Sequence, residues 1–315
     1  MIRAAHKQPV DKVPVGFWHH FGKETPEPEM IEKHIQWYRD AGLDFVKVMC
    51  DGYFNYPNPF IDTVTCPEDW FRITPLGEDH PYIRGQVERA KAIVERVGGE
   101  ACVFYNVFNP MSLLRFGAGH EVVMMHMKAN PEAVSHAFSV IAQDVKALVR
   151  ALIQEAGCDG IYYCLQNGEY TRFSSEEYRK WVTPAELDVL KYTNTLSDIN
   201  MLHCCGFAGD RNQIEVWQDY PAAVVNWAVY IEKMTLGEGK KFFRDSCVLG
   251  GFDNRPGGIL YTGTREEIEA EVEKVLAESG TVGVMLGADC TIPRDISAER
   301  IKWISDKVAA MSKIQ

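Results

Sequence analysis

The chain has 315 residues, 46% apolar and 24% charged, with a formal net charge of −11 at neutral pH. These proportions describe a globular protein with a sizeable core, long enough for one large domain or two ordinary ones. The acidic balance excludes nucleic acid as the main partner, since a duplex is met with clustered Lys and Arg, and no basic amphipathic segment or run of transmembrane length points to a membrane.

Met1–Lys7 lacks the apolar stretch of a signal peptide, so a cytoplasmic setting is expected. Nine cysteines are an odd count, and they read as reduced thiols, not a disulfide framework. Six of them, Cys50, Cys66, Cys102, Cys158, Cys164 and Cys247, read as small apolar residues.

Apolar, β-branched runs alternate with helical stretches from end to end. Strands are predicted at Val13–Trp18, Asp44–Met49, Ala101–Phe108, Gly160–Leu165, Asn200–Cys205, Ala222–Ala228, Cys247–Phe252 and Thr281–Leu286. Amphipathic spacing predicts helices at Glu29–Ala41, Gly85–Val97, Pro131–Ala156, Ser174–Leu196, Arg211–Gln218, Leu236–Phe243, Arg265–Ser279 and Ala298–Met311. Asn130, Ser174 and Thr264 each precede early acids as capping residues. Gly42, Gly157 and Gly280 stand where helices should stop.

Eight strands alternating with eight helices predict a single-domain (β/α)8 TIM barrel over residues 1–315. An open doubly wound sheet is the alternative, but no G-x-G-x-x-G follows the first strand. Residues 53–81, rich in Pro, Asn, Asp and aromatics, break the rhythm and are expected to hang over the C-terminal face as a lid or pocket wall.

His203 and Cys205 form an H-x-C pair at the end of the fifth predicted strand, and Cys290 follows the eighth. Side chains two residues apart on a strand point to one side, so Cys204 between them should point away. Imidazole plus two thiolates suits zinc and leaves a fourth position open. A barrel would gather all three at its mouth.

With these motifs in hand, the chain resembles the uroporphyrinogen decarboxylase superfamily. It is similar to the branch of zinc-dependent, cobamide-linked methyltransferases that includes methylcobamide:coenzyme M methyltransferases. The likeness runs from Arg3-Ala4 and Pro9–Val15 through Glu155–Ile161 and Gly250–Asp253 to Cys290–Pro293 and Glu299–Lys302. It implies a (β/α)8 barrel, with the branch's H-x-C…C zinc motif on His203, Cys205 and Cys290. The decarboxylases carry Arg-Gln-Ala-Gly-Arg after the first strand, where this chain has His19–Lys23, and a characteristic His near Cys290. Porphyrinogen decarboxylation is therefore not expected. Two departures from the methyltransferases, Ala288-Asp289 before the last ligand and Leu165–Glu169 after the fourth strand, point to a different substrate.

The resemblance implies zinc-dependent methyl transfer between a protein-bound corrinoid and a small thiol or related acceptor. No D-x-H-x-x-G corrinoid motif occurs, so the methylcobamide should arrive on a separate partner protein. Glu169 is a candidate fourth ligand or base, set against a solvated loop acid. Asp51 matches a position where the superfamily often keeps a functional Asp, set against a loop cap. Asn226 and Asp253, at the ends of the sixth and seventh predicted strands, are candidate substrate contacts. His19 and His20 are candidate pocket walls, set against satisfied structural histidines, and Tyr53, Phe54 and Tyr56 are candidate walls set against a local aromatic minicore. Two alternatives stand beside methyl transfer: a metal-independent decarboxylase or lyase using Asp51 and Glu169, and a non-enzymatic zinc- or corrinoid-handling protein. The methyl donor and acceptor, the direction of transfer and the oligomeric state are not readable from the residues.

Overall fold

Among the described residues, seven parallel strands form one sheet in the order in which they occur along the chain. They are β1 (Phe45–Val48), β2 (Cys102–Phe108), β3 (Gly160–Leu165), β4 (Met201–Cys204), β5 (Val224–Trp227), β6 (Cys247–Phe252) and β7 (Val284–Ala288). The structure is a computed structural model and describes residues 1–244 and 246–312. Nearly every strand residue is buried, as a parallel sheet covered on both faces requires. These strands correspond to the second to eighth of the sequence prediction, β7 lying a few residues later than expected.

The first predicted strand is reduced to one bridge, Val15 to Leu286. Gly16 N–H donates to the Leu286 carbonyl and Leu286 N–H to the Pro14 carbonyl, both at 2.9 Å. On its other side Asp44 N–H donates to the Val15 carbonyl at 2.9 Å. Two features stop the ladder from lengthening. Pro14 has no N–H to give, and Val15 N–H is taken by the Asp44 carboxylate at 2.8 Å. Residue 16 must be Gly, because a Cβ there would sit 2.0 Å from the Phe45 ring.

Helices connect the strands and cover the sheet. The predicted caps form: Asn130 accepts from Ala133 N–H, and Ser174 with Glu177 and Thr264 with Glu267 make reciprocal capping boxes. The helix expected over Ser174–Leu196 is two, Ser175–Trp181 and Thr183–Thr193, because Pro184 can be accommodated only in a first turn. Arg211–Gln218 keeps one short turn, Ile214–Val216. Asn212 is instead held extended, bridging Glu169 and donating its N–H to Glu232. Helices Pro110–Ala118 and His120–Ala129 were not predicted, although Asn109-Pro110 repeats the start signal of Asn130-Pro131.

The excursion after β1 packs mainly against the outer helices. Trp70 is fully buried and donates its indole N–H to His126 Nδ1 at 2.9 Å. The Asp144 carboxylate accepts from Leu76 N–H at 2.8 Å, Gly77 N–H at 3.0 Å and the Tyr56 hydroxyl. Inside the sheet's curve a separate apolar cluster, including Trp18, Phe45, Met49, Phe104, Tyr162, Met201 and Met285, fills the space below the strand ends. Among the described residues no helix is long and apolar enough to cross a membrane.

Candidate metal centre

Strand pairing sets the layer in which the candidate ligands lie. Cys164 on β3, His203 on β4, Asn226 on β5 and Leu249 on β6 are register partners in turn, so their side chains share one level of the sheet. Cys205 follows β4 one step higher, its N–H held by the Leu165 carbonyl at 2.9 Å. Cys290 arrives from the loop after β7.

These groups meet. Cys290 Sγ is 3.4 Å from His203 Nε2 and 3.8 Å from Cys205 Sγ. A tetrahedral zinc with bonds of about 2.3 Å to sulfur and about 2.0 Å to nitrogen would separate two sulfurs by about 3.8 Å and sulfur from nitrogen by about 3.5 Å. Both measured edges match. Cys164, His203 and Cys205 form an overlapping triad, with ligand atoms within 4.8 Å of one another and all three residues buried. Cys204 is buried in the layer between sheet and helices, on the opposite face.

The His203 tautomer follows from Asn226. Asn226 Nδ2 donates to the carbonyls of Leu249 (2.9 Å) and Ala288 (3.1 Å). That orientation turns Oδ1 toward the Tyr162 hydroxyl at 2.7 Å and His203 Nδ1 at 2.5 Å. An amide oxygen can only accept, so the proton sits on Nδ1 and the Nε2 lone pair faces the sulfurs. A hydrogen bond of this kind orients most metal-binding histidines.

Without a cation the thiols are held neutral. The Cys290 thiol is pushed up to about 12, first by the neighbouring Cys205 and then by burial. The Cys205 thiol is raised too, by its bond with Cys164 first, against an opposing effect of Cys290, with burial adding to the rise. A divalent ion that takes sulfur as thiolate supplies the missing charge, and a soft donor set with one imidazole fits zinc.

Lys47 lies below this cluster and is not marked by any sequence motif. It points into the core inside the sheet's curve, its ammonium 3.7 Å from the Tyr162 ring centre and 4.4 Å from that of Trp18. Burial lowers its pKa to about 8, while the sulfurs of Cys164, Cys290, Cys50 and Cys205 act in the opposite sense.

A cavity of about 690 Å3 is lined by His20, Asp51, Phe54, Arg255 and Thr291, the residue after Cys290, among others. Asp51 accepts from His20 Nδ1 at 2.6 Å and from the N–H groups of Phe21 (2.6 Å) and Gly22 (3.2 Å). Burial would raise its carboxyl, but the His20 bond and charge and the backbone donors hold it below the usual value. Arg255 is held by a two-pronged pair with Asp253, Nε to Oδ1 at 2.8 Å and Nη2 to Oδ2 at 2.7 Å. Asp253 therefore reaches the cavity through Arg255.

The other candidates do not line this cavity. His19 is packed against Phe21 and Trp37 and faces a separate surface cavity with Gln36 and Asp40. Tyr53 lies under the Arg89 guanidinium, its hydroxyl against Gly85 of helix Pro81–Val97. Glu169 is 1% exposed, so it is not a solvated loop acid; Arg172 pairs with Oε2, and Oε1 has no partner. Asn226 is fully buried, with both ends of its amide engaged inside the protein.

The fold and site define a parallel α/β enzyme scaffold with a thiol–imidazole cluster at its strand ends. The sequence profile of the family described as uroporphyrinogen decarboxylase (URO-D) matches residues 54–311, and the chain belongs to that family. No curated protein matches it by sequence. Among solved structures it is similar to a methyltransferase from Methanosarcina mazei, at 17% identity and TM-score 0.75, covering 98% of this chain and 97% of that one. It is also similar to a B12-independent methionine synthase from Shewanella sp. W3-18-1 (15% identity, TM-score 0.59, 96% of each chain). A putative vitamin-B12 independent methionine synthase from Listeria monocytogenes shares 12% identity, TM-score 0.55, over 96% of this chain and 98% of that one. At these identities the likeness shows the fold.

Proposed function

We propose that this chain is a zinc-dependent methyltransferase moving a methyl group between a corrinoid carried by a separate protein and a small thiol or related acceptor. The observation that carries the proposal is the spacing of His203 Nε2, Cys205 Sγ and Cys290 Sγ, whose 3.4 and 3.8 Å edges suit a tetrahedral zinc. The names of the similar structures, a methyltransferase and two methionine synthases, favour methyl transfer within the family. We also read Pro14–Gly16 as the eighth stave of the barrel, because it bonds to β7 on one side and to Asp44, just before β1, on the other.

Zinc held by His203, Cys205 and Cys290 would supply the positive charge that keeps an acceptor thiol ionised at neutral pH. The protein's own part is preorganisation. Asn226 holds His203 Nδ1–H, so the ring enters the site with Nε2 free. Gln166 Nε2 lies 3.7 Å from Cys205 Sγ and steadies that sulfur. His203 and Cys205 are buried and Cys290 is half-buried, which limits competition by water for the site. The adjoining cavity, with Arg255 fixed by Asp253 and His20 by Asp51, offers room and polar contacts for the rest of the acceptor.

The test is transfer of methyl from free methylcobalamin to a panel of thiols. Zinc-dependent thioether formation, abolished by Cys290→Ala, is expected; no transfer to any thiol, or full activity in Cys290→Ala, would count against it. A second reading, a metal-independent decarboxylase or lyase, is favoured by the Asp51–His20 pair on the cavity wall. Activity surviving strong chelation and lost in Asp51→Asn would select it.

A further inference from the structure

We infer that Cys164 is a third sulfur donor to the same ion, holding the fourth position at rest and giving it up when the acceptor thiol binds. The inference rests on the zinc reading above and adds a residue that the H-x-C…C motif does not contain.

Three observations converge on it. Cys164 is the register partner of His203, so the sheet places it beside the imidazole as a consequence of strand pairing. Its sulfur belongs to the buried triad with His203 and Cys205, with ligand atoms within 4.8 Å of one another. The remaining candidate for the fourth position, Glu169, is not part of that cluster, and one of its carboxylate oxygens pairs with Arg172.

Charge balance gives a fourth, independent argument. Lys47 is buried against two aromatic faces, and among the described residues no carboxylate or hydrogen-bond acceptor pairs with its ammonium. A divalent ion with two thiolates is neutral and would leave that lysine as an uncompensated buried cation, a costly arrangement. A third thiolate makes the ion and its ligands singly negative, and Lys47 then balances it.

The exchange conserves charge. As the acceptor's S–H bond breaks and its sulfur takes the fourth position, the proton goes to Cys164, which withdraws as a neutral thiol into the buried space it occupies. No external base is needed.

Zinc-edge X-ray absorption on the zinc-loaded protein counts the sulfurs directly. Three sulfurs and one nitrogen are expected at rest in the native chain, and two sulfurs in Cys164→Ala. Adding an excess of acceptor thiol should leave the native count at three and raise the variant's from two to three. Two sulfurs at rest in the native chain, or a native count of four with thiol, would overturn the inference and leave the zinc reading intact. A protein that takes up no zinc would overturn both. The native measurement does not depend on the variant folding, and a melting curve on Cys164→Ala checks that its count comes from a folded chain.

Discussion

His203 and Asn226 are joined by a 2.5 Å hydrogen bond that decides which imidazole nitrogen faces the sulfurs. The bond is fixed from behind, because the Asn226 amide also donates to the backbone of β6 at Leu249 and of β7 at Ala288. One side chain thus ties three strands together and sets the protonation of a candidate ligand.

Replacing Asn226 by Ala should therefore weaken zinc binding by about 10–100-fold, the usual consequence of losing a partner behind a metal-bound histidine. Competition with a chromophoric chelator measures it. An unchanged affinity in a folded variant would contradict the orienting role.

Cys204 and Cys205 are adjacent but face opposite sides of the sheet. Cys204→Ala should keep full zinc content and lose only about 1 kcal/mol of stability, the cost of a small buried void. Loss of zinc in Cys204→Ala would show the register of β4 to be wrong at the site.

His34 makes stability depend on pH. Its Nε2 accepts from Met49 N–H at 2.9 Å and its Nδ1 donates to the Met30 carbonyl at 2.7 Å, so the folded protein needs it neutral. Burial, the main cause, lowers its pKa from 6.5 to about 4. The unfolded chain then binds the proton more readily, so the contribution is whole above about pH 6.5 and fades as pH falls toward 4, up to about 3 kcal/mol in all. Urea unfolding between pH 7 and 4 should show this slope in the native chain and a shallower one in His34→Gln. Equal slopes would rule His34 out as the source.

Asp144 anchors the excursion after β1 by accepting from Leu76 N–H, Gly77 N–H and Tyr56. Asp144→Ala leaves two backbone donors without their charged acceptor, at a cost of about 3 kcal/mol. Hydrogen exchange should quicken at residues 74–77 far more than in the strands. Unchanged protection there would contradict the anchoring.

Much of this architecture was legible in the residues. Seven strands and most of the helices followed from β-branched runs, Asn-Pro and Ser/Thr-x-x-Glu starts, and glycine stops, all of which are local signals. Much of what escaped was non-local. Pro14 and the Asp44 carboxylate together cut the first strand to a bridge. Pro184 split a helix whose apolar spacing continues through it. At the site, His203, Cys205 and Cys290 were visible as a motif, whereas Cys164 resembled any buried thiol until β3 and β4 were paired. Lys47 carries no motif, and only the curvature of the sheet shows that it points inward. Tyr53 and His19 read as pocket walls because they flank strand ends, but helices Pro81–Val97 and Glu27–Asp40 draw their rings away from the mouth cavity.

The most direct test of the whole account is elemental analysis of the purified protein alongside Cys205→Ser. About one zinc per chain in the native protein, and a large loss in the variant with its fold intact, is the predicted result. No stoichiometric zinc, or the same zinc content in both proteins, would contradict it.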